Sequence, residues 1–508
     1  MTATGVPARP RPPRAARPWP AAGRMLRLEL RRSTMLAMLP LLAVLLAFTE
    51  LRNDLSHPPL WAVRSIDLQI QVELTGGIVA AVAAWVATRD GRRHLTDLMA
   101  TTSRPRWARQ LAAWAAVATW ALVFYAACVA VVFVATARQA TWGGPIWWLP
   151  GVGAAAVVAF SAAGFAFGAI FPGRFTAPLV AIGALFAPQI GVLALQRNQQ
   201  WGRVTFARDS TVPGTGIFFP FHAGVSIVQI MFLAGVTAAA LGVLALPPAA
   251  GGRRLRRAGA VIALAGLAAT GGSLALASTA RQTAQGIVIP ALDGAPGGRL
   301  ITYTPACDAA AAIPLCVHPA FRALLPALAA AVEPVLSQVA GLPGAPVRVV
   351  FSPATPQDFA SGNKSFGADG AGNISIAGGP AIGGHPPVLD LNPNVLPLVA
   401  GIDLTGELRS PVAATIIRAM IYGGHRADGP AQRAIAAAML KVAGVPLIAP
   451  AQANVRQPGN GVPGPAPGSP TYAAAVRFAG QPAPVRHAWL AAHLPALRAG
   501  RITLAEIP

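Results

Sequence analysis

Residues 111–136 read LAAWAAVATWALVFYAACVAVVFVAT, without a single charge. A bilayer's hydrocarbon core is ~30 Å thick and takes ~20 apolar residues to cross as a helix. This run is long enough and apolar enough to do so. Similar runs flank it at 34–51, 70–88, 148–171, 176–195, 222–246 and 258–278. About seven spans are therefore expected in residues 34–278. The run at 70–88 is the most polar, with Gln69, Gln71 and Glu73 at its start.

The rest of the composition agrees. Of 508 residues, 54% are hydrophobic and only 11% are charged, and the mean hydropathy is +0.52. A soluble chain of this size needs about twice that charge to cover its surface. Long uncharged runs crowd into 34–278, while 279–508 reads as ordinary globular sequence. The expected fold class is an α-helical polytopic membrane domain, 34–278, followed by a mixed α+β, helix-rich extracytoplasmic domain, 279–508. Residues 1–33 form a basic cytoplasmic segment. The first apolar run follows a Pro- and Arg-rich stretch without a small-residue cleavage site, so it reads as a retained span and not as a signal peptide.

A net charge of +22 raises the question of nucleic acid. The basic residues are almost all Arg, many of them beside the apolar runs, and no zinc-finger spacing or RNA-binding motif occurs. They read as topology signals. Arg24, Arg27, Arg31 and Arg32 precede the first run. Arg89, Arg92, Arg93, Arg104, Arg106 and Arg109 fill the second loop, Arg174 marks the fourth, and Arg253, Arg254, Arg256 and Arg257 mark the sixth. Loops between these hold Asp54, Asp67 and Asp209, although the fifth also carries Arg197, Arg203 and Arg208. This alternation places the N-terminus in the cytoplasm and 279–508 outside. Trp142, Trp147, Trp148 and Trp201 fall near the outer span ends, where indoles favour the interface. Residues 21–33 fit either a basic amphipathic helix on the inner leaflet or ordinary positive flanking sequence.

Within the runs, Gly164 and Gly168 form a small-xxx-small pattern suited to close helix approach. Polar groups at membrane depth are candidates for a transport pathway: Glu73, with Gln189 and Gln229. For Glu73 the plainer alternative is that it marks the outer end of the second span.

The C-terminal region holds Cys307 and Cys316, nine apart. In an oxidising compartment a local disulfide is the natural reading; a metal site with His318 is the alternative, lacking a fourth ligand. Residues 319–340, 410–423, 430–442 and 484–499 have helical apolar spacing, and 347–351 reads as a strand. Several chemistries are missing. Lys364 and Lys441 are the only lysines and neither sits in a phosphate loop. No His-Glu-x-x-His or Gly-x-Ser-x-Gly occurs. No enzymatic activity and no cofactor is expected of this chain.

The segment Leu26-Arg-Leu-Glu-Leu-Arg-Arg-Ser33 and the Arg-rich loop from Thr88 to Trp107 resemble permease subunits of actinobacterial type-2 ABC exporters. The resemblance implies a separate ATP-binding cassette subunit, docked on that loop through Arg92, Arg93, Leu95, Leu98, Met99, Arg104 and Arg106. It implies pairing as a homodimer or with a second permease chain. The region from Cys307 through Cys-Val-His-Pro-Ala-Phe321 is similar to extracytoplasmic domains of degenerate metallopeptidase-like fold. Thr415 to His425 stands where the zinc helix of such a fold would lie, without its motif. The reading from another class is a non-transporting sensor or cell-envelope assembly factor. The second loop discriminates: it offers one candidate docking helix, Arg92 to Thr101, whereas a sensor needs a cytoplasmic output domain.

An export-dependent reporter fused after Pro508 is expected to be active. Activity there from a reporter that works only in the cytoplasm would overturn the orientation.

Overall fold

The computed structural model describes residues 19–47, 59–89, 106–204, 216–247, 252–283, 286–294, 301–309, 311–351, 388–391, 429–445, 447–448 and 462–508, with Ala413, Ile416, Ile417, Met420 and Ile421. The described chain is mostly helical.

Helix α1 (Trp19–Arg31) is amphipathic. It exposes Arg24, Arg27 and Arg31 and half-buries Met25, Leu26 and Leu30. The Trp120 indole N–H donates to the Leu30 carbonyl at 2.9 Å, and Glu29 meets Arg89 at 3.3 Å. Helix α2 (Thr34–Leu46) has 13 residues, about 20 Å of helix at 1.5 Å per residue. The span expected at 34–51 is thus represented by a helix shorter than the hydrocarbon core; residues 48–51 lie outside the described residues.

Among the described residues, seven helices are long and apolar enough to cross a membrane. Six follow α2: α3 (Trp61–Ala87), α4 (Arg106–Gln139), α5 (Trp148–Ile170), α6 (Thr176–Gln196), α7 (Gly224–Val243) and α8 (Arg253–Ser278). Their bounds match the apolar runs within a few residues, except that α3 begins nine residues before the run at 70–88, and α4 and α8 each begin five before theirs, at 111–136 and 258–278. The seventh, Pro319–Val339, has the composition of a span but other surroundings. It is a 3-10 turn (Pro319–Leu324) leading into α9 (Leu325–Val339). Leu328, Val332, Val335 and Leu336 are buried in one core with residues of α10 (Pro430–Val442), α11 (Pro470–Gly480) and α12 (Ala483–Arg498). A four-stranded sheet stands beside it, and open sheet edges do not occur in hydrocarbon. Pro319–Val339 is therefore a helix of a globular core.

That sheet has the order β3-β4-β5-β6. Strand β3 (Ala306–Asp308) pairs antiparallel with β4 (Leu315–Val317), with Cys307 opposite Cys316, and the two sulfurs are bonded. Strands β5 (Arg348–Phe351) and β6 (Val388–Leu391) continue in parallel; the helical segment 319–339 makes the crossover between β4 and β5 that a parallel pair requires. Directly after α8, β1 (Arg281–Thr283) and β2 (Gly286–Val288) form a hairpin, followed by one helical turn, Pro290–Asp293. Asp293 accepts the Gly224 N–H at 2.9 Å and the Ile289 N–H at 2.8 Å. A carboxylate at a helix N-terminus is favourable, so this strap ties the end of α8 to the start of α7.

Two features hold the bundle together. Helix α5 lies against α3 so closely that a Cβ on Gly164 would sit 2.2 Å from the Ala80 carbonyl oxygen, and one on Gly168 would sit 2.4 Å from that of Ala84. Helices α7 and α8 meet through reciprocal glycines, Gly235 against Gly266 and Gly242 against Gly259. Without a hydrophobic drive between helices in lipid, such close van der Waals approach is a main source of association.

The two ends of the bundle differ. Leu60, Ile217, Phe218 and Phe219 are buried in the same core as α9 to α12, with Trp142 packed against it. The segments before α3, between α4 and α5, and before α7 thus lie at the end that carries the C-terminal domain. Helix α1 and Arg89 lie at the other.

Gly168→Val is expected to force α3 and α5 apart and destabilise the bundle by about 1–3 kcal/mol or more, read by thermal unfolding in detergent. Gly183→Ala, where a Cβ meets nothing within 4 Å, serves as the control and should change little.

Candidate functional site

Polar side chains inside the membrane bundle gather on α3. Arg64, Ser65, Gln69, Gln71, Glu73 and Thr75 are all buried. They are tolerated because α3 is the central helix, packed on α2, α4, α5 and α6, and so faces protein more than lipid. A charge at a bilayer's centre costs several kcal/mol when it faces lipid.

The seam is built in layers. Near the end of α3 that meets the C-terminal domain, Arg64 donates to Thr136 Oγ1 at 3.1 Å and to Gln139 Oε1 at 2.9 Å, both at the end of α4. Five residues further along α3, the Gln69 amide donates to Gln229 Oε1 of α7 at 3.4 Å. Gln229 in turn donates to the Arg203 carbonyl at 2.7 Å. Arg203 belongs to a 3-10 turn, Gln200–Val204, which folds back so tightly on α6 that a Cβ on Gly202 would lie 2.4 Å from the Gly191 carbonyl oxygen. The turn packs on α6, α7 and α8. Below it, a small cavity opens beside Gln71 and Thr75, walled by Leu42, Leu46, Tyr125 and Cys128. The Tyr125 hydroxyl donates to the Leu68 carbonyl at 3.4 Å.

The structure sorts the expected pathway residues. Glu73 is the thirteenth residue of the 27-residue α3, at mid-helix and buried. The boundary error came from reading the polar stretch 61–69 as loop, when its side chains are enclosed by other helices. Gln229 joins the same seam. Gln189 does not: it lies exposed on α6, whose outward face also carries Phe186 and Ile190. Arg64 and Arg203 were missed as site residues. Arg64 had a usable signal, since it stands four residues after Leu60 in register with the buried face of the helix that continues through Leu68 and Val72.

Of the expected docking residues, Arg106 begins α4 and is half-buried; Arg92, Arg93, Leu95, Leu98, Met99 and Arg104 lie outside the described residues. In the C-terminal domain Ile416, Ile417, Met420 and Ile421 are buried in the core, while Thr415 and His425 lie outside the described residues. The Cys307 and Cys316 sulfurs bond each other, so neither is a thiolate ligand for a metal beside His318. His487 contacts the Ala340 carbonyl at 2.8 Å, and His493 contacts the Trp489 carbonyl at 2.9 Å and stacks on the Trp489 ring. Both are packing histidines. Among the described residues no group of three His, Cys, Asp or Glu could hold a metal ion.

Comparison with protein-family models, with curated proteins and with solved structures finds no match for this chain. The seam must be read from its own chemistry: donors and acceptors aligned through a helix bundle, with acid at mid-helix and arginine at one end.

Gln229→Leu removes both the acceptor for Gln69 and the donor to the Arg203 carbonyl. Leaving buried polar groups unsatisfied costs about 1–3 kcal/mol, and a loss of that size is expected in unfolding experiments. Gln189→Leu, on the outward face, should stay within about 0.5 kcal/mol of the parent.

Proposed function

We propose that this chain is the membrane-spanning permease subunit of an ABC-type export system, driven by a separate ATPase subunit. The observation that carries the reading is the polar seam on α3, buried at membrane depth inside a bundle of apolar helices, where ionisable groups mark substrate or ion pathways. The orientation that fits has α1 and the Arg-rich loop 89–109 in the cytoplasm and residues 279–508 outside it. Positive residues are favoured on the cytoplasmic side. The ATPase would then dock on the 89–109 loop, and two permease chains, identical or sister, would pair around the pathway. ATP hydrolysis belongs to the partner in this reading, and the C-terminal domain binds or gates and does not hydrolyse.

The test is purification of the tagged full-length protein from the cells that make it. A stoichiometric ATP-binding cassette subunit is expected to accompany it, and the double change Arg92→Glu, Arg93→Glu should release that subunit. Glu73→Gln should keep the ATPase bound while lowering export at least tenfold. Intact protein that carries no ATPase, and whose envelope phenotype survives without ATP-driven export, would favour the sensor or assembly-factor reading.

A further inference from the structure

The junction between the C-terminal domain and the membrane half is organised around one histidine. His318 follows β4 directly and is fully buried. Aromatic rings from three separate segments surround it. Trp142, from the loop after α4, lies 4.9 Å away by ring centroids and edge-on at 85°. Phe218, from the segment before α7, lies at 4.9 Å and 70°. Tyr303 lies at 4.2 Å. Phe321 completes the cluster at 6.4 Å. Two hydrogen bonds fasten the same contact: Thr141 Oγ1 donates to the Pro319 carbonyl at 2.6 Å, and the Ile301 N–H donates to the Phe218 carbonyl at 2.8 Å.

The direction of one further hydrogen bond decides the chemistry. The Ala320 N–H donates to His318 Nδ1 at 3.1 Å and so caps the 3-10 turn that leads into α9. Nδ1 must therefore be unprotonated, and the neutral ring carries its proton on Nε2. Among the described residues Nε2 has no hydrogen-bond partner; its surroundings are aromatic. A second proton must go to Nδ1. There it would face another N–H, removing the cap and setting two donors against each other. It would also place a full charge in a buried apolar site.

We propose that His318 is an acid-released latch: proton uptake at Nδ1 frees the C-terminal domain from the loops beside Trp142 and Phe218. The ring's neighbours do not compensate. The rings in contact with it, Trp142, Phe218, Tyr303 and Phe321, bring no carboxylate to stabilise the added charge. Burial pushes the His318 pKa down from 6.5 to about 4. Once released into water the ring returns to about 6.5. Docking is therefore at full strength above pH 6.5 and weakens as pH falls from 6.5 to about 4. Below that both states are protonated and nothing more is lost. The weakening reaches on the order of 100-fold in the docked-to-released ratio by pH 4. The latch rests on the junction alone, so it stands or falls independently of the transport reading.

The experiment is hydrogen–deuterium exchange on the full-length protein in nanodiscs at pH 7 and pH 4, corrected for intrinsic rates. At pH 4 protection should fall, by up to ~100-fold, in peptides covering 301–321, 140–147 and 216–222, while α3 and α5 keep theirs. His318→Asn supplies a side-chain oxygen that can accept from Ala320 and does not titrate, so its protection should be the same at both pH values. Unchanged protection of the parent protein at pH 4 overturns the proposal, whether or not the variant folds. So does a His318→Asn protein that loses as much as the parent, or a loss spread equally through α3 and α5.

Discussion

A helix carrying Arg64, Gln69, Gln71 and Glu73 can stand in a bilayer only if protein encloses it. In hydrocarbon none of these groups has water to fall back on, and unsatisfied polar groups cost several kcal/mol each. Helix α3 must therefore sit at the middle of the bundle. To enclose it, the neighbouring helices have to come close, and this is why α5 presents Gly164 and Gly168 to the backbone at Ala80 and Ala84. The cost of that arrangement falls on the periphery. Helices α6 and α8 expose Leu179, Phe186, Val261 and Leu264, which lipid accommodates and water would not.

The same enclosure shapes the end of the molecule where the C-terminal domain sits. The polar start of α3 has to be covered there, and the cover is shared between domains. Leu60, Ile217, Phe218 and Phe219 come from membrane loops, yet they are buried with α9 to α12. The C-terminal core is built partly from the loops of the bundle it rests on. A shift of α3, α4 or α7 thus reaches the core of the C-terminal domain through side chains in direct contact, among them Trp142 and Phe218 against His318.

How much of this could be read from the chain depends on what each residue faces. The runs for α4, α5, α6 and α7 were legible because those helices turn much of their surface to lipid, so hydropathy and position agree. The first nine residues of α3 were not, because polar groups enclosed by protein look like a loop to any measure that assumes a lipid environment. Gln189 and Gln229 illustrate the same limit. Both are glutamines inside apolar helices, and their local sequence does not say which is buried; one lies outward among Phe186 and Ile190, the other reaches Gln69 and Arg203. The Gly164–Gly168 spacing was visible, but its partners Ala80 and Ala84 were not, since alanine spacing is uninformative in so alanine-rich a chain. The cage around His318 is assembled from positions up to 179 apart in sequence, Trp142 to Phe321, and no local pattern announces it.

Close packing also constrains how the seam on α3 can open. Toward α5, backbone touches backbone at Gly164 and Gly168, and toward α6 the side chain of Leu185 fills the space left by Gly77. Opening on either side must first separate whole helices and forfeit their dispersion contacts together. Toward α2 and α4 the cavity beside Gln71 and Thr75 is bounded by Leu42, Leu46, Tyr125 and Cys128. There the boundary is made of side chains rather than touching backbone, and a rotamer change costs less than shearing a helix pair. The soft side of the bundle is accordingly the α2–α4 side. That is also where α1 packs on α4, fixed by Trp120 to the Leu30 carbonyl and by Glu29 to Arg89, so a force applied to the Arg-rich end of the bundle enters beside the part of the seam least able to resist it.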